Sequence, residues 1–133
     1  MNILIVDDIP GNRILLDKVI RGHWNCQTSM ASDGLDAIQK IKSHPPDLIF
    51  LDVMMPHMDG KEFLKQLRSS EDVLHLPVVI TTAASDRALV KELAVLGVSG
   101  YLLRPFSAEQ VVGCIVKALK LDPTADSKNE IPS

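Results

Sequence analysis

Five short apolar runs, each followed by a stretch with helical spacing, limit what this chain can fold into more than any other feature. The runs are residues 2–6, 26–31, 47–51, 77–81 and 101–103. Between and after them, apolar side chains recur every three or four positions, the mark of a helix with one buried face. The predicted inward faces are Leu15, Leu16, Val19 and Ile20; Ile38 and Ile41; Phe63, Leu64 and Leu67; Leu89, Leu93 and Leu96; and Val111, Val112, Ile115, Val116 and Leu119. Gly22 and the Pro45-Pro46 pair close the first two helices, and Asp33, Ser85 or Asp86, and Ser107 are placed to cap the starts of later ones. Strands that are apolar almost throughout are buried on both faces. Strands alternating with helices therefore predict an α/β fold, a parallel sheet covered on both sides.

Right-handed crossovers leave few topologies for five strands. The expected one is the doubly wound, flavodoxin-like order 2-1-3-4-5 with five helices, in which ligands bind at the carboxyl ends of the strands. The expected domain covers residues 1–121, and residues 122–133, polar with two prolines, read as a tail or the start of a linker. Net charge is −3 without a basic stripe, which argues against direct contact with nucleic acid. No apolar run is long enough to span a membrane. Met1 leads straight into the first strand without a basic leader, so the expected compartment is the cytoplasm. Cys26 and Cys114 are far apart and are expected to be free thiols. The histidines, His23, His44, His57 and His75, match no zinc spacing.

The chemistry lies just past the strands. The first run ends at Asp7-Asp8 and the third at Asp52. In the expected order these strands are neighbours, so three carboxylates share one crevice. Carboxylates so close repel one another unless a cation sits among them. An all-oxygen donor set without His or Cys suits a hard ion, Mg2+ above all. The fourth run leads to Thr82, a hydroxyl, and the fifth to Arg104, a cation. A carboxylate nucleophile, a metal, a hydroxyl donor and a cation are what phosphoryl transfer needs, since that chemistry rests on positioning and charge neutralisation.

The blocks Ile3-Leu4-Ile5-Val6-Asp7-Asp8, Pro46-Asp47-Leu48-Ile49-Phe50-Leu51-Asp52, Met55-Pro56-His57-Met58-Asp59-Gly60, Pro77-Val78-Val79-Ile80-Thr81-Thr82-Ala83 and Gly100-Tyr101-Leu102-Leu103-Arg104-Pro105-Phe106 resemble the signatures of bacterial response-regulator receiver domains, the chemotaxis regulators among them. The resemblance implies a phosphoacceptor switch of a two-component system, charged by a phosphohistidine on a sensor histidine kinase or phosphotransfer protein. It implies that Asp52 is the residue modified, and that Asp8 binds the metal directly and Asp7 through water. It also implies that Met54 completes the metal site with its carbonyl, that Thr82 and Tyr101 move on switching, and that the Arg104–Pro105 peptide is cis. Such a domain is no enzyme beyond its own phosphorylation and dephosphorylation. Met54 and Ala84 flank the expected path of the hydrolytic water; neither side chain can hold that water, so a persistent phosphoryl group is expected.

Arg104 departs from the family, which has lysine there. A planar guanidinium could neutralise phosphoryl oxygens, or pair with Asp7 or Asp52 and hold the site shut. An alternative follows from it, a receiver-like protein-interaction module that is never phosphorylated. Two other readings fare worse. An aspartate-nucleophile phosphatase needs an acid where Met54 stands, and a flavin phosphate would be repelled by Asp7-Asp8. The expected partner surface combines helix four, strand five and helix five, with Ala88, Val95 and Tyr101 at its centre, facing a downstream protein or a second copy. The stimulus, the cognate kinase and the output are not written in this sequence.

Overall fold

The computed structural model describes residues 1–53, 60–70, 75–83 and 87–121. Ten elements alternate along them: β1 (Asn2–Val6), α1 (Pro10–His23), β2 (Gln27–Ala31), α2 (Gly34–Ser43), β3 (Leu48–Asp52), α3 (Gly60–Ser69), β4 (Val78–Ala83), α4 (Arg87–Val95), β5 (Gly100–Arg104) and α5 (Ala108–Leu119). All strand pairs are parallel, and the sheet order is β2-β1-β3-β4-β5. This is the doubly wound arrangement expected from the alternation. Strand side chains point alternately to the two faces, and both faces are packed. Leu4, Val6, Ile49, Leu51, Val78 and Ile80 meet α2, α3 and α4 through Ala37, Ile41, Phe63, Leu64, Leu67 and Leu93. On the opposite face Ile3, Ile5, Phe50, Val79 and Leu102 meet α1 and α5 through Leu16, Ile20, Val111 and Ile115.

The strand boundaries shift from their sequence expectation for local reasons. β3 starts at Leu48 because Asp47 is used as a hook. Its N–H donates to the Asn2 carbonyl at 2.8 Å, and its Oδ2 accepts from the Asn2 N–H at 2.8 Å. β4 runs two residues further than the apolar run, so Thr82 and Ala83 are still paired with Leu103 and Arg104. Leu15 was expected inward, yet it is half exposed. α1 anchors itself through Leu16 and Ile20, four apart, and Leu15 is turned about 100° from Leu16 by the helical repeat. Val19, Val112, Val116 and Leu119 pack at the margin of that core. The two chain positions proposed to cap α4, Ser85 and Asp86, and the tail 122–133 lie outside the described residues.

α2 and α5 start on side-chain caps, whereas α1 starts on Pro10 without one. Asp33 accepts from the Asp36 N–H at 2.8 Å at the head of α2. Ser107 and Gln110 form a capping box at the head of α5, each side chain bonding the other's backbone. Arg68 of α3 ties the far end of the domain together, donating to the carbonyls of Leu76 at 2.9 Å and Gly97 at 2.8 Å. Gly97, at φ 94°, turns the chain out of α4, a conformation that favours glycine.

The Ser107 cap fixes α5 immediately after the Arg104-Pro105-Phe106 corner. Ser107→Ala is expected to cost about 1 kcal/mol of stability. Urea unfolding checks this: the midpoint should fall while the slope stays unchanged.

Candidate functional site

The sheet order determines which side chains meet. β1 and β3 are hydrogen-bonded neighbours in register, with Val6 opposite Leu51. The residues that follow, Asp7 on one strand and Asp52 on the other, therefore emerge side by side. Both are 2% exposed. Asp8 is half-buried beside them. One carboxylate oxygen from each of Asp7, Asp8 and Asp52 lies within 4.8 Å of the other two.

Asp7 is held on several sides. Its N–H donates to the Ala31 carbonyl at 3.1 Å. Its Oδ1 accepts from the Ile9 N–H at 2.9 Å, and its carbonyl accepts from Arg13 at 2.6 Å. Asn12 adds a side-chain hydrogen bond. Burial pushes the Asp7 carboxyl above its ordinary value of 3.8, and the neighbouring Asp8 adds to the rise. The Ile9 N–H, Arg104 and Asn12 oppose it without cancelling it. Sequence reading missed Asn12 and Arg13. The available signal was their position one turn into α1, where the helix brings polar side chains back over the Asp7-Asp8 corner.

Arg104 is the last residue of β5, and its side chain is 27% exposed. One guanidinium nitrogen, NH1, stands 3.6 Å from Asp7 Oδ2. The other, NH2, donates to Asp52 Oδ1 at 3.4 Å. The Arg104–Pro105 peptide at this corner is cis. Thr82 is fully buried near the end of β4, while Thr81 is the residue in register with Asp52. Tyr101, three residues before Arg104, is 55% exposed, and Val95 on α4 is 87% exposed. Ala88 is exposed as well. Met54 and Ala84 lie outside the described residues.

The donor set fits a hard divalent ion. Among the described residues the candidate ligands are carboxylate oxygens, and the buried repulsion among them is relieved by positive charge. One oxygen from each of the three acids lies within 4.8 Å of the other two, near enough for the three to share one cation, directly or through its water.

With this fold and this acid cluster, the class is that of a doubly wound domain with an acidic crevice at the carboxyl ends of β1 and β3. Residues 3–116 match the family described as response regulator receiver domain, and the chain belongs to that family, a component of two-component signalling. It is 39% identical to chemotaxis protein CheY-3 of Vibrio cholerae over 108 residues, 81% of this chain and 83% of that protein. It is 35% identical to sporulation initiation phosphotransferase F of Bacillus subtilis over 119 residues, 90% of this chain and 94% of the relative. It also matches hybrid signal transduction histidine kinase D of Dictyostelium discoideum at 35% identity, spanning 8% of that much longer protein. Among solved structures, chemotaxis protein CheY4 of Vibrio cholerae superposes with a TM-score of 0.81 at 27% identity, over 89% of this chain and 98% of that one.

The raised pKa of Asp7 gives a signed prediction for the metal-free protein. Folding favours the protonated carboxyl, so the contribution of Asp7 to stability is most favourable below its ordinary value. That contribution is lost as pH rises through the raised value. Asp7→Asn in EDTA should therefore melt higher than wild type at neutral pH, and the difference should shrink towards acid. A lower melting temperature at neutral pH would contradict the burial argument.

Proposed function

We propose that this chain is a phosphoacceptor switch in which Asp52 takes a phosphoryl group from a phosphohistidine on a sensor histidine kinase or phosphotransfer protein. One observation carries the reading: Asp7, Asp8 and Asp52 bring carboxylate oxygens within 4.8 Å of one another beside Arg104. An Asp52 oxygen attacks phosphorus, the phosphorus–nitrogen bond of the donor breaks, and the imidazole leaves with a proton from water. The product is an acyl phosphate on Asp52. Asp8 and Asp52 would hold Mg2+ directly and Asp7 through water, with the Met54 carbonyl completing the set. When bound, the ion neutralises the equatorial oxygens of the transferring group. Thr82 supplies a hydroxyl and Arg104 a cation to the same oxygens.

The chemistry is confined to the domain's own phosphorylation and dephosphorylation, so the chain acts as a signal carrier in the cytoplasm rather than as an enzyme turning over a separate substrate. The name of the Bacillus subtilis relative, a phosphotransferase, supports transfer in this family. The alternative of an unphosphorylated interaction module has Arg104, paired with Asp7 and Asp52, as its sole support; the family match and the intact acid cluster favour the phosphoacceptor reading. Among the described residues, no helix is long and apolar enough to cross a membrane.

Incubation with acetyl phosphate should label the protein once, on Asp52, and only with a divalent cation present. Asp52→Ala should abolish the label; persistence of the same single label in that variant would remove the assignment.

The output surface in this reading is the face of α4, β5 and α5 around Ala88, Val95 and Tyr101. Val95 is nearly bare of neighbours at 87% exposure, a place where a large apolar side chain gains by being covered. Val95→Glu is expected to weaken association with a downstream protein or a second copy of the chain, while acetyl phosphate still labels Asp52. Sedimentation and partner-binding curves of the phosphorylated forms provide the check, and unchanged binding would refute this surface.

A further inference from the structure

We infer that Arg104 is a built-in counter-cation that competes with the divalent ion, so that the ion enters only as the guanidinium releases its grip on the acids. The inference rests on reading Asp7, Asp8 and Asp52 as a cation site, and it deepens that reading by assigning Arg104 control over affinity. Three features of the geometry lead to it. The guanidinium is shared between two different buried acids, NH1 at 3.6 Å from Asp7 Oδ2 and NH2 at 3.4 Å from Asp52 Oδ1. The other oxygen of Asp7 is committed to the Ile9 N–H at 2.9 Å. The Asp7 oxygen beside Arg104 is thus the one not taken by the Ile9 N–H. Finally, the Arg104 side chain is only 27% exposed, so the water that would otherwise compete for its nitrogens is largely excluded.

Arginine suits this role better than lysine. Its charge is spread over a planar fork that reaches two acceptors at once, and it is more weakly hydrated. A lysine ammonium is a compact charge that water solvates strongly, so it leaves two carboxylates at a smaller cost. The same net charge is present in either case. A difference in ion affinity between arginine and lysine therefore reports the fork and not simple repulsion between cations. Once released, the two nitrogens become donors for phosphoryl oxygens, which couples ion binding to readiness for transfer.

The test is calorimetric titration of the full chain with magnesium chloride at fixed ionic strength, comparing wild type with Arg104→Lys and Arg104→Met. Loss of about one net charge-assisted contact corresponds to about tenfold. Arg104→Lys should therefore bind Mg2+ about tenfold more tightly than wild type, and Arg104→Met at least as tightly as Arg104→Lys. Thermal melts give an independent readout: Mg2+ should raise the melting temperature of both variants by more than it raises that of wild type. Equal affinity of wild type and Arg104→Lys would overturn the inference while leaving the cation site intact. Failure of all three proteins to bind Mg2+ would overturn the cation-site reading itself, and the inference with it.

Discussion

Mutual repulsion among Asp7, Asp8 and Asp52 is the interaction on which the rest of this structure depends. Two of these acids are almost wholly buried, where water cannot screen them and like charges are costly. Nothing in the core would recommend them there. The sheet order imposes the encounter, since β1 and β3 are neighbours whose carboxyl ends open into one crevice. A positive charge has to answer it. β5 supplies one, two strands from β3 and three from β1, distances of about 10 Å and about 14 Å at ordinary strand spacing. Only a long cationic side chain spans that gap, and Arg104 does so across β4.

The same strand joins the acids to the surface. Arg104 ends β5 in the crevice, and Tyr101 stands half-exposed three residues earlier. β4 runs between, with Thr82 opposite Leu103 and Ile80 opposite Tyr101. In the proposed reading, a new charge on Asp52 changes what Arg104 and Thr82 hold; Arg104 shares the edge strand β5 with Tyr101, and Thr82 lies on its neighbour β4. A switch needs two arrangements with different contacts. Here the contacts that differ would be those of one guanidinium and one hydroxyl. The packed faces behind them, with Phe50, Ile80 and Leu102 all buried, give the strands a rigid body to move against.

Much of this architecture was legible in the residues because several levels of the sequence agree. Runs such as Leu48-Ile49-Phe50-Leu51 are buried on both faces and could belong only to a covered parallel strand. Asp33 and Ser107 announced the starts of α2 and α5 by capping chemistry that needs no tertiary context. The acids were legible because each sits directly after an apolar run. Leu15 was not legible, since periodicity fixes the stripe of a helix only to within a residue, and the neighbouring helix α5 decides which edge is covered. The length of β4 was also hidden, because Thr82, just past the apolar run, looks like a polar end until pairing with β5 is known. Asn12 and Arg13 escaped notice for the same reason: their partner is a corner that only the fold creates. The two acid contacts of Arg104 could be named from its chemistry, but that it makes both at once is a property of the assembled site.

In the proposed reading the buried acids form one charge-coupled site, where a divalent ion and a phosphoryl group on Asp52 need each other. Fluorine NMR of the protein titrated with beryllium fluoride, a mimic of the acyl phosphate, tests this most directly. A protein-bound fluoride signal is expected to appear with Mg2+, to vanish on adding EDTA, and to be absent from Asp52→Asn. A bound signal of equal intensity without Mg2+, or one that survives in Asp52→Asn, would contradict it.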